Sequence, residues 1–353
     1  MRGGFINLAQ GVLLAVLVGH VLMIARGVIL PIDASLIVAY VVLGLTELIG
    51  RLPGIGGAIP EPLRHGLSIV VIGAVLFGLV SMIVGNIGRI VAAAPQYQDR
   101  FLAIVQAGAD RIGVETAPTW ATQRADVVGR INLQRLLGAA FASASAIVAT
   151  FSIVLVYAAF LLVERNALAR KIERLSDDPA KVARIRLVIE DVNARIGTYL
   201  VTKTLINVLL GSVSYVILRV AGVEFAPFWA ILIGLFNYIP YVGSFIGVFF
   251  PVALSVVQFG AVGPVLALTV ALGAAQMAVG NLVEPWLMSS SLNLSPFVIL
   301  VSLVVWSAMW GVAGAVLSVP IMAILVIVLS EFAGTRPVAI LWSRDGDVGP
   351  ARA

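Results

Sequence analysis

From Phe225 to Val283 the chain carries no Asp, Glu, Lys or Arg. A water-soluble fold would have to hide that whole stretch inside one core. Extending the window from Thr204 to Arg336 adds only Arg219, Glu224, Glu284 and Glu331 between its ends. The rest of the chain follows the same trend: 60% of residues are hydrophobic and 12% are charged. Soluble domains carry about 25% charged residues. The surplus apolar surface therefore faces lipid, and the fold class is an all-α polytopic membrane protein. Continuous apolar runs exclude a barrel, whose strands alternate, and in lipid only helices or closed barrels satisfy their own backbone groups.

A spanning helix needs about 20 mostly apolar residues. Full spans are predicted at 5–25, 28–50, 66–88, 138–163 and 262–283. A shorter one, 200–218, lies between Lys203 and Arg219. The run from Gly3 to Ala25 is too long for a signal-peptide core and is read as the first membrane helix. Two further apolar segments, 226–258 and 295–330, are too long to cross once. Each would extend about 45 Å as a single helix, against a hydrocarbon core of about 30 Å. Both are interrupted, the first by Pro240, Gly243, Gly247 and Pro251, the second by Gly311, Gly314 and Pro320. We therefore expect re-entrant hairpins. Pro227-Phe228 matches Pro296-Phe297, and Pro251 matches Pro320 at the same offset. This suggests an internal repeat of 200–258 and 262–330, with the hairpin tips meeting near mid-membrane. Chance likeness between apolar stretches is the competing explanation. Matched broken segments are the usual sequence pointer to a transporter site.

The predicted organisation is as follows. Residues 1–88 hold three membrane helices, 89–137 an extracytoplasmic helical segment, and 138–163 a fourth span. Residues 164–199 form a cytoplasmic amphipathic segment with an apolar stripe at Val182, Ile185, Ile189, Val192 and Ile196. Residues 200–335 are the transport core and 336–353 a cytoplasmic tail. The cluster from Arg165 to Lys203 fixes the orientation, because positive charge stays cytoplasmic. Both termini then fall inside.

The motifs resemble those of the autoinducer-2 exporter family. Asn237-Tyr238-Ile239-Pro240-Tyr241-Val242-Gly243 looks like that family's N-x-I-P-x-x-G signature. Gln276, then Gly280-Asn281-Leu282-Val283-Glu284-Pro285, looks like its Q…N-L-x-x-P element. Leu294-Ser295-Pro296, Gly311, Gly314 and Val319-Pro320 follow in the family's order, and Tyr199 and Lys203 sit where it has a tyrosine and a basic or polar residue. The resemblance covers nearly the whole chain. It implies a bacterial inner-membrane transporter that exports signalling molecules such as autoinducer-2. In other members it implies exchange of sodium or lithium for protons. It also implies a homo-oligomer.

Candidate site residues are Glu284, Asn281, Gln276, Asn237, Tyr238, Ser244 and Lys203. Glu284 is a lone carboxylate at membrane depth, where ionisable groups are functional by default; an interfacial glutamate at a helix end is the alternative. Asn237, Tyr238 and Ser244 flank the break at Pro240 and can bind an ion or polar ligand, or Asn237 can satisfy the broken backbone. Asn281 and Gln276 are either solute contacts or interhelical glue. Lys203 is expected to snorkel to the interface rather than pair with Glu284. Glu47 and Arg51 read as an interfacial ion pair, and Trp306 and Trp310 as packing residues. The turn Gly54-Ile55-Gly56-Gly57 lacks the Lys-Ser/Thr of a phosphate loop.

With no cysteine and two histidines, no metal site, cofactor or catalytic residue is expected. The net charge of +5 serves membrane orientation, not nucleic acid. The reading is a secondary transporter for a small polar solute, with H+ or Na+ as coupling ion. A Na+(Li+)/H+ antiporter is the alternative within the family. A passive channel and a membrane scaffold are the alternatives from other classes.

Overall fold

The computed structural model describes residues 2–53, 59–111, 133–174, 176–288 and 293–348. Among them every regular element is helical: α1 (Arg2–Ile24), α2 (Arg26–Gly50), α3 (Glu61–Arg111), α4 (Leu133–Ile172), α5 (Pro179–Val220), α6 (Ala226–Phe236), α7 (Val242–Phe259), α8 (Val262–Ala278), a π-helical turn (Val279–Val283), α9 (Glu284–Met288), α10 (Pro296–Ser330) and α11 (Arg336–Trp342). The glycine-rich turn at 54–57 and residues 112–132 of the extracytoplasmic segment lie outside the described residues. Among the described residues, six helical stretches are long and apolar enough to cross a membrane: Arg26–Gly50, Glu61–Ile90, Pro179–Val220, Val242–Phe259, Val262–Met288 and Pro296–Ser330. The apolar surplus faces outward, as in Phe77, Phe160, Val220 and Val304. The protein is an all-α polytopic membrane protein.

Contacts divide the chain into two compact units. The first comprises Met1–Ile69, Ser152–Thr202 and Met288–Ala353. Its core is built from Ile196, Tyr199 and Leu200 of α5, Leu294, and Val319, Met322, Ala323 and Val326 of α10. Val298 and Ile299, near the start of α10, pack on the same cluster. A straight helix would hold them about 40 Å from Val326. The chain instead folds back at Gly311, whose φ of 64° and ψ of −142° lie outside the helical region. A Cβ on Gly314 would collide with the Trp306 carbonyl, so the two arms touch just beyond the reversal. Such backbone is open to glycine almost alone. Trp306 and Trp310 pack on each other at 5.0 Å, and Trp310 donates to the Leu22 carbonyl at 3.1 Å. Arg184 of α5 ties the far end of the hairpin, pairing with the Glu331 carboxylate at 3.4 Å. Arg51 and Glu47 pair at 3.2 Å on the surface.

The second unit comprises Val70–Phe151 and Lys203–Leu287. Here α6 and α7 form a second antiparallel hairpin. Proline in the first turn of α6 is preorganised for a helix start. The reversal occupies residues 237–241 and is closed by Ile239 N–H donating to the Phe236 carbonyl at 2.8 Å and Gly243 N–H to the Ile239 carbonyl at 3.1 Å. Further along, Trp229 stacks on Phe250 at 6.4 Å, and at the open end Glu224 N–H donates to Gln258 Oε1 at 2.9 Å. Tyr97 of α3 donates its hydroxyl to Glu224 at the same end.

Both broken segments therefore fold back on themselves. The breaks fall at 237–241 and at Gly311. Gly243, Gly247, Gly314 and Pro320 lie in the helical arms beside them.

Candidate functional site

Small residues create the site. A Cβ on Gly234 of α6 would sit 2.9 Å from the Asn207 carbonyl, and one on Gly211 would sit 3.2 Å from the Ala230 carbonyl. With hydrogens there instead, α5 and α6 cross backbone to backbone, the close approach that small residues permit between membrane helices. A Cβ on Gly243 would strike the Phe236 carbonyl, so α7 also presses against the end of α6. The result draws side chains from α5, the hairpin tip and α8 into one place.

Three amides form a chain there. Asn237 donates Nδ2 to Asn207 Oδ1 at 2.8 Å. Gln276 of α8 donates Nε2 to Asn237 Oδ1 at 2.9 Å and to Ser244 Oγ at 2.8 Å. Ser244 donates in turn to Asn237 Oδ1 at 3.3 Å. Asn237 thus binds side chains, while the turn satisfies its own backbone. The outer atoms of the chain, Asn207 Nδ2 and Gln276 Oε1, are buried without a hydrogen-bond partner. The Tyr238 hydroxyl stands beside Asn207 without meeting the geometry of a hydrogen bond to its Nδ2, and is hydrogen-bonded to Thr204 at 2.7 Å.

One turn toward the start of α5 lies a buried charge pair. Lys203 Nζ donates to Glu284 Oε1 at 2.5 Å, with the Lys203 side chain 6% exposed and that of Glu284 28%. The expectation that Lys203 snorkels is overturned. An unpaired buried ammonium costs several kcal/mol, and the only carboxylate between Glu224 and Glu331 stands within reach. Glu284 begins α9 just past the π-helical turn, with its N–H bonded to the Val279 carbonyl. Asn281, inside that turn, is exposed and makes no side-chain bond to the cluster.

Six of the seven expected residues (Asn237, Tyr238, Ser244, Gln276, Lys203 and Glu284) gather around the tip and the adjoining turn of α5; Asn281 stands apart. The sequence reading missed Asn207 and Thr204. A signal for Asn207 existed: the spacing that separates Pro227 from Pro296 and Pro251 from Pro320 also separates Asn207 from Gln276. Thr204 carried no such mark.

Residues 11–334 match the family described as AI-2E family transporter. The chain is 27% identical over 347 residues to "AI-2 transport protein TqsA" of Escherichia coli (strain K12), covering 97% of this chain and 96% of that protein. It is 26% identical over 300 residues to "Putative transport protein YhhT" of the same strain, covering 83% and 81%. A "Putative transport protein" of Haemophilus influenzae is 27% identical over 289 residues, covering 80% and 82%.

Proposed function

Because the chain belongs to the AI-2E transporter family, we propose that it is a secondary transporter that exports or exchanges a small polar solute against an ion gradient, with the tip of the α6–α7 hairpin as its solute site. The observation that carries this reading is the amide chain with open ends. At membrane depth a buried polar group without a partner costs on the order of 1–3 kcal/mol. Asn207 Nδ2 can donate to a solute oxygen, and Gln276 Oε1 can accept from a solute hydroxyl. Broken helices in transporters commonly place such groups at the binding site.

The ion pair supplies the coupling. Glu284 can part from Lys203 only when another positive charge takes the place of the ammonium at its carboxylate. A proton or Na+ is such a charge. The proposal includes both termini in the cytoplasm of a bacterial cell and a homo-oligomer in its inner membrane, supported by the basic cluster after α4 and by the family resemblance.

The test is flux through purified protein in liposomes, with proton and sodium gradients imposed in turn. The name of one relative makes autoinducer-2 the first solute to load, with Li+ or Na+ alone as the second. Gradient-driven autoinducer-2 efflux supports the exporter. Cation exchange without solute movement supports the antiporter. Flux of either down its own gradient, with no response to the imposed ions, would mark a passive channel and sink the proposal.

A further inference from the structure

The π-helical turn sits between two residues that must face the same way. Gln276 on α8 meets the Asn207–Asn237 pair. Glu284 on α9 meets Lys203, one turn from Asn207 on the same helix. Along an unbroken α-helix, the step from Gln276 to Glu284 would turn the side chain by roughly 80°, at about 100° per residue. Glu284 would then point well away from the side on which Gln276 makes its bonds. A π turn holds one extra residue, which removes about 100° and leaves the two within roughly 20° of each other. The wide turn at Val279–Val283 therefore sets the phase that brings the carboxylate onto Lys203.

Pro285 accounts for the turn. It has no N–H to give to a carbonyl one turn back, and in a regular α-helix its ring would press on the carbonyl of Asn281. Widening the preceding turn relieves that clash, and the Glu284 N–H reaches back to Val279 instead of Gly280. We propose that Pro285 is a positioning residue: by holding the π turn open it aims Glu284 at Lys203, and the phase of the helix, rather than the identity of the turn residues, is what matters. This goes beyond the transport reading and stands whether or not that reading survives.

The test needs no substrate. Thermal unfolding of the detergent-purified protein is measured for Lys203→Met, Glu284→Gln and the double variant, first in the native background. The two changes should be strongly non-additive there, because each removes the same pair. The same cycle is repeated with Pro285→Ala, which lets the turn close to a regular helix. The non-additivity should vanish, because Glu284 has rotated away. Deleting Gly280 in the Pro285→Ala background subtracts one residue and restores the phase, so the non-additivity should return. A Cβ on Gly280 would meet nothing within 4 Å, so the deletion removes no packed side chain. Deleting Leu282 restores the same phase and serves if the Gly280 deletion does not fold. A purely structural proline would lower the unfolding temperature without touching the coupling. Coupling that persists in Pro285→Ala, or that fails to return on deletion, overturns the proposal.

Discussion

Single side chains decide the chemistry of this protein, and two of them changed meaning once their neighbours were visible. Lys203 reads in sequence as a long cation at the edge of an apolar run. Its burial follows from Glu284, which lies far along the chain and reaches it only because of a turn that no periodicity reveals. Asn207 is one polar residue in an apolar helix, and its role emerges from the Gly234 contact beneath it. Substituting Asn207→Asp keeps an oxygen for Asn237 but replaces the open donor. Transport affinity should fall about tenfold, the effect of one lost hydrogen bond, with KM rather than the unfolding temperature carrying the change. An unaltered KM in flux measurements would remove Asn207 from the site. At the far end of the chain, Asn293 donates to the Asp345 carboxylate at 2.6 Å, and this bond, with further backbone help, holds the Asp345 carboxyl below its ordinary value. A lowered carboxyl contributes stability that is complete above about pH 4 and is lost as pH falls through the lowered value. Docking of the tail, followed by Trp342 fluorescence, should therefore persist at neutral pH and loosen only in strong acid. In Asn293→Ala it should be loose throughout.

At the scale of elements, length and punctuation were the informative signals. Two apolar runs too long for one crossing, each broken by proline and glycine, do fold back as hairpins. The positions of reversal were less legible. The first turns on Tyr241, a non-glycine residue with a φ of 60°, which no composition rule marks. Gly243 looks like a hinge in sequence but is helical, and serves to admit the Phe236 carbonyl. The second reversal does use a glycine for its conformation. Gly311→Ala should cost on the order of 1–3 kcal/mol through backbone strain alone, read as a lower unfolding temperature. Gly234→Leu should also destabilise, by about 1–3 kcal/mol of overpacking, and should in addition abolish flux, because it separates Asn207 from Asn237. Normal flux in a folded Gly234→Leu protein would contradict the crossing as the origin of the site. The continuity of α3 past Ile90, and of α5 through the polar stretch before Lys203, went unread because charge marks where a helix leaves lipid and not where it ends.

For the whole molecule, the proposed orientation rests on the charge distribution and the proposed transport cycle on the ion pair. In the proposed orientation the basic residues from Arg165 to Arg195 keep the α4–α5 connection in the cytoplasm and the end of α3 lies outside. The chain has no cysteine of its own, so one introduced at the exposed Gln106 should react with an impermeant thiol reagent in intact cells. Labelling only after permeabilisation would invert the topology. The central claim is that ion and solute movements are linked through Glu284. The most direct measurement is autoinducer-2 efflux from liposomes, with and without an imposed proton or sodium gradient, for the native protein and for Lys203→Met/Glu284→Gln, in which neither partner is left buried and charged. The account predicts gradient-driven efflux by the native protein, and for the double variant a folded protein whose residual flux ignores both gradients. Native, gradient-dependent rates in the double variant would contradict it.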